Sequence, residues 1–177
     1  NKDGLPDIAL IIAQSQEGIH LFLNKGGGKF EQRDVRRRHP AWGYSHMEVV
    51  DFDHDGDLDL LVTNGDNGDI KAAPMRPYHG IRLLLNDGQN NFEEKFFWPQ
   101  NGAFGALPED FDGDGDIDII AISYFPNYAN SPSECLVYLE NQGGLNFEAS
   151  TFPRNINGRW LVLDKGDLDG DGDVDVV

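Results

Sequence analysis

The chain has 177 residues, enough for one domain with its own core, and its 39% hydrophobic and 11% aromatic content predicts a folded protein. Asp and Glu outnumber Lys and Arg by 31 to 14, and the formal net charge of −17 argues against a nucleic acid or an anionic membrane surface as partner. No uncharged apolar run approaches the roughly 18 residues of a membrane-spanning helix. The single cysteine, Cys135, excludes an intrachain disulfide framework.

Aspartate is concentrated in short blocks that recur along the chain. The pattern D-x-[DN]-x-D-G-x-x-D occurs complete three times and once truncated, and successive copies lie 52 to 59 residues apart. A second pattern, N-x-G-x-x-x-F-E, follows the first three copies and begins at Asn24, Asn86 and Asn141. Two patterns that alternate in phase indicate a tandem repeat protein. In chain order the blocks are 1–7 (truncated), 51–59, 110–118 and 167–175.

Each repeat is predicted to form four short antiparallel strands. An apolar run follows every block, as in strands buried on both faces, and a second run precedes each N-x-G turn, whose glycine is expected to have positive φ. A third strand starts at the Phe of the second pattern, and a fourth, such as 46–50, leads into the next block. The first runs are 8–13, 58–63, 117–123 and 174–177; the second are 19–23, 81–85 and 136–140; the third begin at Phe30, Phe92 and Phe147.

Four antiparallel strands in about 55 residues, without helical periodicity, predict an all-β fold made of β-propeller blades. We expect one propeller segment, 1–177, that comprises a partial blade at 1–38, whole blades at 44–98 and 103–154, and a partial blade at 159–177. Because propellers typically close with about four to eight blades, the segment is expected to belong to a longer chain. Pro108 and Glu109 stand where an apolar strand end is usual, which predicts an irregular strand there.

The blocks have the composition of a calcium-binding loop. Clustered carboxylates repel one another unless a cation neutralises them, and Ca²⁺ takes roughly six to eight oxygen ligands from a flexible loop. Side chains at positions 1, 3, 5 and 9 and the backbone carbonyl at position 7 could surround one ion, which gives three complete sites and one incomplete site. The candidate ligands are Asn1, Asp3, Leu5 and Asp7; Asp51, Asp53, Asp55, Asp57 and Asp59; Asp110, Asp112, Asp114, Asp116 and Asp118; and Asp167, Asp169, Asp171, Asp173 and Asp175.

An EF-hand loop begins with similar spacing, but it needs a carboxylate at position 12 and a helix on each side. Position 12 is Val62 in the first complete block and Ala121 in the second, and strands are predicted on both sides. The EF-hand interpretation therefore fails. The other alternative, aspartates that only keep turns soluble, does not require one register repeated four times.

The blocks, the N-x-G-x-x-x-F segments and the repeat length resemble FG-GAP/VCBS-type repeats over essentially the whole chain. That family includes the calcium-bearing blades of integrin α-subunit propellers and many bacterial secreted proteins. The resemblance implies a propeller of six to eight blades, with Ca²⁺ in the hairpin between the first two strands of a blade. Related propellers serve as adhesion modules, as lectins or as scaffolds of polysaccharide lyases.

The connections at the opposite ends of the strands, which we call the far face, vary most in length and carry most of the arginines. Variable loops on a rigid scaffold often bind ligands. Aromatic rings beside arginines suit a sugar with carboxylate or sulfate groups; alternatively the arginines are solvated and the rings fill the interfaces between blades. The candidates are Arg36, Arg37, Arg38, Trp42, Tyr44, Arg76, Tyr78, Tyr124, Tyr128, Arg159 and Trp160, with Arg154 beside them.

No nucleophile, zinc, phosphate-loop or dinucleotide motif occurs, so the sequence gives no sign of catalysis. His54, at position 4 of a block, is expected to point to solvent, and Cys135 to lie in the core.

We expect a calcium-binding, non-catalytic binding or adhesion scaffold for a protein or a glycan, an acidic polysaccharide among the candidates. Low-affinity calcium sites suit an extracellular, cell-surface or periplasmic location. The alternatives are the scaffold of a polysaccharide-acting enzyme such as a lyase, and a ligand-free spacer in a large surface protein. The fold by itself does not choose among these functions.

Overall fold

The computed structural model describes residues 1–66, 68, 74–152 and 158–177. These residues form strands, turns and three short 3₁₀ segments, with no α-helix among them, so the all-β prediction is confirmed. In the same residues no helical segment has the length and hydropathy to span a bilayer. The strands are β1 Ile8–Ile12, β2 Gly18–Asn24, β3 Phe30–Arg37, β4 Tyr44–Val50, β5 Asp59–Asn64, β6 Gly80–Asn86, β7 Phe92–Pro99, β8 Ala103–Glu109, β9 Asp118–Ser123, β10 Leu136–Asn141, β11 Phe147–Ser150, β12 Lys165–Gly166 and β13 Asp175–Val176.

The strands form four antiparallel sheets in chain order. The first sheet is β1-β2-β3, two four-stranded sheets follow as β4-β5-β6-β7 and β8-β9-β10-β11, and β12 pairs with β13. Each strand pairs with its neighbours in sequence, which is the meander found in propeller blades. The blade boundaries and the number of blades in a closed ring stay predictions, and residues 153–154 of the third predicted blade lie outside the described residues.

The core fills the spaces between successive sheets. β5 and β9 are buried along their whole length, as continuous apolar runs predict. Because alternate side chains of a strand point to opposite faces, Leu61 of β5 joins the apolar cluster shared with Ile119, whereas Leu60 and Val62 join the cluster that contains Ile19. The second sheet thus packs on both the first and the third.

β8 continues through Pro108 and Glu109, which pair with Ile119 and Asp118, so the irregularity predicted for this strand does not lie at these residues. Proline fits because β8 lies at the edge of its sheet, where a missing N–H group need not interrupt the hydrogen-bond ladder. The register shift lies instead near the start of the strand, between Ala103 and Gly105.

Candidate functional site

Each complete aspartate block forms the connection between the first two strands of a sheet. The block 51–59 joins β4 to β5, 110–118 joins β8 to β9, and 167–175 joins β12 to β13. In each block the carboxylates at positions 1, 3 and 9 offer oxygen atoms within 4.8 Å of one another, close enough to share one cation. The three clusters are Asp51, Asp53 and Asp59; Asp110, Asp112 and Asp118; and Asp167, Asp169 and Asp175.

The aspartates at positions 5 and 7 lie outside these clusters and shape the loop. The backbone N–H at position 7 donates to the Oδ1 atom at position 5 over 2.8 to 3.0 Å, in the pairs Asp57–Asp55, Asp116–Asp114 and Asp173–Asp171. The side chain of Asp57 forms an ion pair with Lys2, with 2.6 Å between Nζ and Oδ1. Of the four carboxylates that the sequence assigns to each ion, the structure therefore brings three together.

The glycine at position 6 closes each loop onto position 1. Its N–H donates to Oδ2 of the first aspartate over 3.0 to 3.2 Å in the pairs Gly56–Asp51, Gly115–Asp110 and Gly172–Asp167. The three glycines have φ of 87°, 98° and 97°, a conformation that L side chains rarely adopt. Position 6 therefore requires glycine for a backbone reason.

Gly115→Val tests this geometry. A Cβ at Gly115 would meet nothing within 4 Å, so the cost comes from the backbone at φ 98°, and we expect a loss of about 1–2 kcal/mol in the free energy of unfolding together with weaker calcium binding. Thermal melting and calcium titration measure both quantities. Gly166→Val is the matched control, because Gly166 also has open space around it but no positive φ. Equal effects of the two substitutions would contradict the loop geometry.

The aspartate at position 9 connects the two ends of the loop to the neighbouring turn through hydrogen bonds. Asp59 is 0% exposed, its Oδ2 accepts the N–H of Phe52 at 2.9 Å, and its Oδ1 accepts the N–H of Asn86 at 2.8 Å. Burial raises the pKa of the Asp59 carboxyl, and the nearby carboxylates of the loop add to the rise. A cation beside Asp59 would offset both effects.

Asp118 occupies the same place in the next sheet and accepts three hydrogen bonds. Its donors are the N–H of Phe111 at 3.2 Å, the N–H of Asn141 at 2.8 Å and the hydroxyl of Tyr138 at 2.7 Å. Burial and this carboxylate raise the pKa of the Tyr138 hydroxyl, so Tyr138 acts as a donor at neutral pH.

The two sequence motifs of a repeat form one hydrogen-bonded unit. Besides its N–H bond to Asp59, Asn86 donates Nδ2 to the Leu58 carbonyl at 3.1 Å and accepts the N–H of Gly88 at 3.2 Å. Gly88 has the positive φ predicted for this turn, 76°. Asn24 and Asn141 make the equivalent three bonds. This link between the two motifs was not predicted from the sequence, although the constant phase between them indicated that they are coupled.

The truncated block has the same local structure. Oδ1 of Asn1 accepts the N–H of Asp3, and Oδ1 of Asp3 accepts the N–H of Leu5, both at 3.0 Å. Asp7 accepts the N–H of Asn24 at 2.7 Å and pairs with the amino terminus at 3.3 Å. These residues correspond to positions 3, 5, 7 and 9, so the block lacks only the ligand of position 1.

Neighbouring loops touch through position 4. Nε2 of His54 donates to the carbonyl of Gly115 in the next loop at 2.9 Å, while the residue stays exposed at the surface, as expected for position 4. Lys2 occupies the same position in the truncated block and reaches Asp57. Both residues have positive φ, 57° for Lys2 and 58° for His54, and this conformation directs each side chain toward the following loop.

A strip of arginine and aromatic side chains lies at the opposite ends of the strands. The rings of Trp42 and Tyr78 stack with centroids 4.9 Å apart and planes at 2°. The guanidinium groups of Arg38 and Arg82 each lie 4.8 Å from the Trp42 ring centroid, and that of Arg76 lies 5.9 Å from the Tyr78 centroid. We call these five residues the arginine–tryptophan strip.

Arg82 was missing from the residues selected by sequence. It is 4% exposed and lies between the rings of Trp42 and Phe97, the latter at 3.9 Å. Its Nη2 donates to the Tyr78 carbonyl at 2.6 Å, and its Nη1 lies 3.3 Å from Oε1 of Glu94. The sequence signal for Arg82 was its position within the apolar run of β6. A charged residue there is expected to be buried, and a buried charge needs partners supplied by the fold.

The other far-face candidates divide between the strip and a separate group. Tyr44 is buried beside the strip, where its N–H donates to the carboxylate of Glu17, and Arg37 pairs with Asp34 at 2.6 Å away from the strip. Arg36 lies near enough to Tyr44 for its charge to lower the pKa of the tyrosine, against the larger effect of burial.

The second group lies beside the third sheet. The guanidinium group of Arg159 is 5.6 Å from the Tyr124 ring and 5.5 Å from the Phe125 ring. Tyr128 donates its hydroxyl to the Gly158 carbonyl at 2.7 Å, and the backbone N–H of Trp160 donates to the Ser123 carbonyl at 3.3 Å. Arg154 lies outside the described residues. Cys135 is 1% exposed, as predicted for a core residue.

His79, beneath the strip, is expected to make stability depend on pH. It is 1% exposed, and neither ring nitrogen has a hydrogen-bond partner in the described part of the chain. Burial and, less strongly, the charges of Arg76 and Arg82 lower the His79 pKa to about 4, and Asp66 opposes them. Between this value and the unfolded value of 6.5 the unfolded chain binds more protons, so stability falls as pH falls.

Urea unfolding at pH 7 and pH 5 tests this dependence. We expect His79 to account for about 2 kcal/mol of the stability lost between these pH values. His79→Met removes the titrating ring and should recover that amount at pH 5, with His39→Met as the control for loss of an exposed histidine. A His79→Met variant that loses as much stability as the unchanged protein would show that the pKa of His79 is the same in the folded and unfolded chains.

Comparisons with known proteins agree with this architecture. The family model described as FG-GAP-like repeat matches residues 1–62 and 110–177. A lectin from Agrocybe aegerita, described as specifically recognising non-reducing terminal N-acetylglucosamine, has a similar fold, with a TM-score of 0.52 and 17% sequence identity. The match covers 98% of this chain and 47% of the lectin chain, so this chain spans about half the lectin's length.

No curated protein sequence matches the chain. At 17% identity the likeness to the lectin concerns the fold alone. The family match, in contrast, covers most of the sequence and includes all four aspartate blocks. The chain belongs to the FG-GAP-like repeat family.

Proposed function

We propose that the chain is a calcium-stabilised, non-catalytic scaffold that binds a glycan on its far face, in an extracellular, cell-surface or periplasmic protein. The observation that carries this proposal is the placement of two different surfaces at the two ends of β5. The strand begins at Asp59, in a carboxylate cluster, and ends at Asn64. Nδ2 of Asn64 donates to the carbonyls of Trp42 at 3.2 Å and Tyr78 at 2.9 Å, which anchors the arginine–tryptophan strip.

The carboxylate clusters fit calcium. Their donors are oxygen atoms of flexible loops, and Ca²⁺ prefers such ligands. In the first complete loop Oδ1 of Asp51 is buried without a hydrogen-bond partner, a costly state for a carboxylate oxygen that a cation would relieve. Asp51, Asp53 and Asp59 would hold the ion there, and the equivalent residues would hold it in the other two loops. Bound calcium would neutralise the loops and fix the connections between strands.

The far face fits a ligand-binding surface. Its side chains come from connections between rigid strands, the usual arrangement for binding sites. Aromatic rings and arginine side chains supply the flat apolar contacts and the fixed N–H donors with which proteins hold sugars and their acidic groups. The similar fold of a lectin described as recognising N-acetylglucosamine supports a glycan over a protein ligand.

A glycan array tests the proposal. The chain is applied to neutral and acidic oligosaccharides in millimolar calcium and again in EDTA, and its folding is monitored under both conditions. Binding of at least one glycan class in calcium, and its loss in EDTA, is the expected result. A chain that is folded and calcium-loaded but binds no glycan would contradict the proposal and would favour protein adhesion or a spacer role.

A further inference from the structure

Positive charge is concentrated at one place in a strongly acidic chain. Arg36, Arg38, Arg76 and Arg82 lie together at the far-face ends of the first two sheets, although the formal net charge of the chain is −17. The charges of Arg36 and Arg38 act on the Arg82 guanidinium and, after burial, help to lower its pKa. Like charges so close together are unfavourable unless an anion lies among them.

The anion is not supplied by the described part of the chain. The side chain of Arg82 has Glu94 at 3.3 Å, but the side chains of Arg36 and Arg76 form no hydrogen bond or ion pair there, and the Arg38 side chain donates only to the Arg37 carbonyl at 3.2 Å. The contrast with Arg37 is sharp, because that neighbouring side chain has its own carboxylate, Asp34, at 2.6 Å. Arg36, Arg38 and Arg76 therefore lack the carboxylate partner that Arg37 and Arg82 have.

The unpartnered side-chain atoms of Arg36 and of the strip residues are all hydrogen-bond donors. They are the buried Nε atoms of Arg36, Arg38, Arg76 and Arg82 and the Nε1 atom of Trp42; Oδ1 of Asn64 and the ring nitrogens of His79, beneath the strip, are unpartnered as well. Arginine and tryptophan side chains cannot accept hydrogen bonds, so the missing group must be an acceptor. A buried donor without an acceptor is costly, and one oxyanion could serve several of these donors.

The strip holds these groups in place for such a ligand. Tyr78 donates its hydroxyl to the Ala41 carbonyl at 2.9 Å, and its ring supports Trp42. Arg38 lies over the Trp42 ring and Arg76 over the Tyr78 ring. A cation–π contact uses the face of the ring and leaves the N–H groups of the guanidinium for a ligand, which a planar carboxylate or a sulfate can accept in pairs.

We propose that Arg36, Arg38 and Arg76, supported by the Trp42–Tyr78 stack, form an anion-binding site that takes the uronate carboxylate or sulfate group of an acidic glycan. This inference rests on the proposed function, which makes the ligand a glycan, and adds the acidic group that the site selects. The site lies at the far face, apart from the carboxylate clusters, so bound calcium does not contact the ligand there.

Titration calorimetry in calcium tests the site with three oligosaccharides of equal length: tetragalacturonate, a sulfated heparin tetrasaccharide and neutral chitotetraose. We expect one acidic oligosaccharide to bind at least tenfold more tightly than chitotetraose, with an affinity that falls as salt rises. Arg36→Gln with Arg38→Gln should weaken acidic binding at least tenfold. Arg37→Gln is the matched control and should leave it unchanged.

Melting temperature and calcium stoichiometry show whether each variant is folded, and Arg76→Gln alone replaces the double variant if the latter fails to fold. Equal binding of chitotetraose and the acidic oligosaccharides, unaffected by the substitutions, would overturn the anion site while the proposed glycan function stands. If none of the three binds but polyglutamate does, and the double variant abolishes this binding, the glycan assignment is overturned in favour of an acidic protein.

Discussion

Removal of calcium should lower the free energy of unfolding by roughly 8 kcal/mol, because each of three sites contributes about 2.7 kcal/mol when free calcium is a hundred times its dissociation constant. The physical reason is the crowding of three carboxylates within 4.8 Å in each complete loop. Without a cation these groups repel one another, and the net charge of −17 adds to the repulsion. A loss of this size is a large share of the roughly 5–15 kcal/mol stability of an ordinary domain, so the calcium-free chain should be much less stable and melt at a far lower temperature.

Thermal melting followed by circular dichroism, in millimolar calcium and in EDTA, measures this effect. Sodium chloride at matched ionic strength separates specific binding from simple screening, because screening acts on all exposed charges and needs no loop. Magnesium is a second control, since it demands a smaller and more regular shell of ligands. A melting temperature that is the same in calcium and EDTA would contradict the calcium proposal for all three loops.

The strands could be predicted closely because their signal is local. The run 58–63 predicts a strand that the structure places at Asp59–Asn64, and the run 117–123 predicts one at Asp118–Ser123. Continuous apolar residues between turn signals predict a strand buried on both faces, and the turns at its ends fix the register. Because the two motifs keep the same phase, the same arrangement of strands and turns recurs in each sheet.

The ligand set within a block was harder to predict, because spacing does not show which acceptor a backbone N–H will find. Aspartate at position 5 bonds the N–H two residues later, as Asp55 does with Asp57. Short polar side chains commonly form such local bonds. Aspartate at position 3 makes the same local bond, as Asp53 does with Asp55, yet it converges with positions 1 and 9, so the local bond alone does not decide which carboxylates face one another.

Contacts between distant residues escaped sequence analysis altogether. His54 and Gly115 are 61 residues apart, and the bond between them exists only because successive sheets place their loops side by side. Arg82 was overlooked for the same reason, since its aromatic neighbours come from two other segments of the chain, at Trp42 and Phe97. Neither contact can be located from spacing or composition, although an arginine within the apolar run of β6 marked Arg82 itself.

Asp118→Ala should cost at least about 3 kcal/mol in the free energy of unfolding even without calcium, since three donors lose their acceptor and each such donor costs about 1 kcal/mol or more. Asp118 is 0% exposed, and its removal leaves three donors without an acceptor: the N–H groups of Phe111 and Asn141 and the hydroxyl of Tyr138. The substitution also removes one ligand from a carboxylate cluster. The calcium stoichiometry should therefore fall by one site.

Comparison of two media separates these roles of Asp118. In EDTA only the hydrogen-bond contribution remains, so urea unfolding should still show a large loss relative to the parent chain, and the loss should grow when calcium is added. Asp116→Ala is the matched control, because the structure uses the backbone N–H of Asp116 and its side chain lies outside the cluster; it should change stability by less than about 0.5 kcal/mol. If Asp118→Ala were as mild as the control in EDTA but severe in calcium, Asp118 would be a metal ligand without the structural role assigned to it. The reverse pattern would make position 9 a structural hub and would move the ion toward positions 1, 3 and 5.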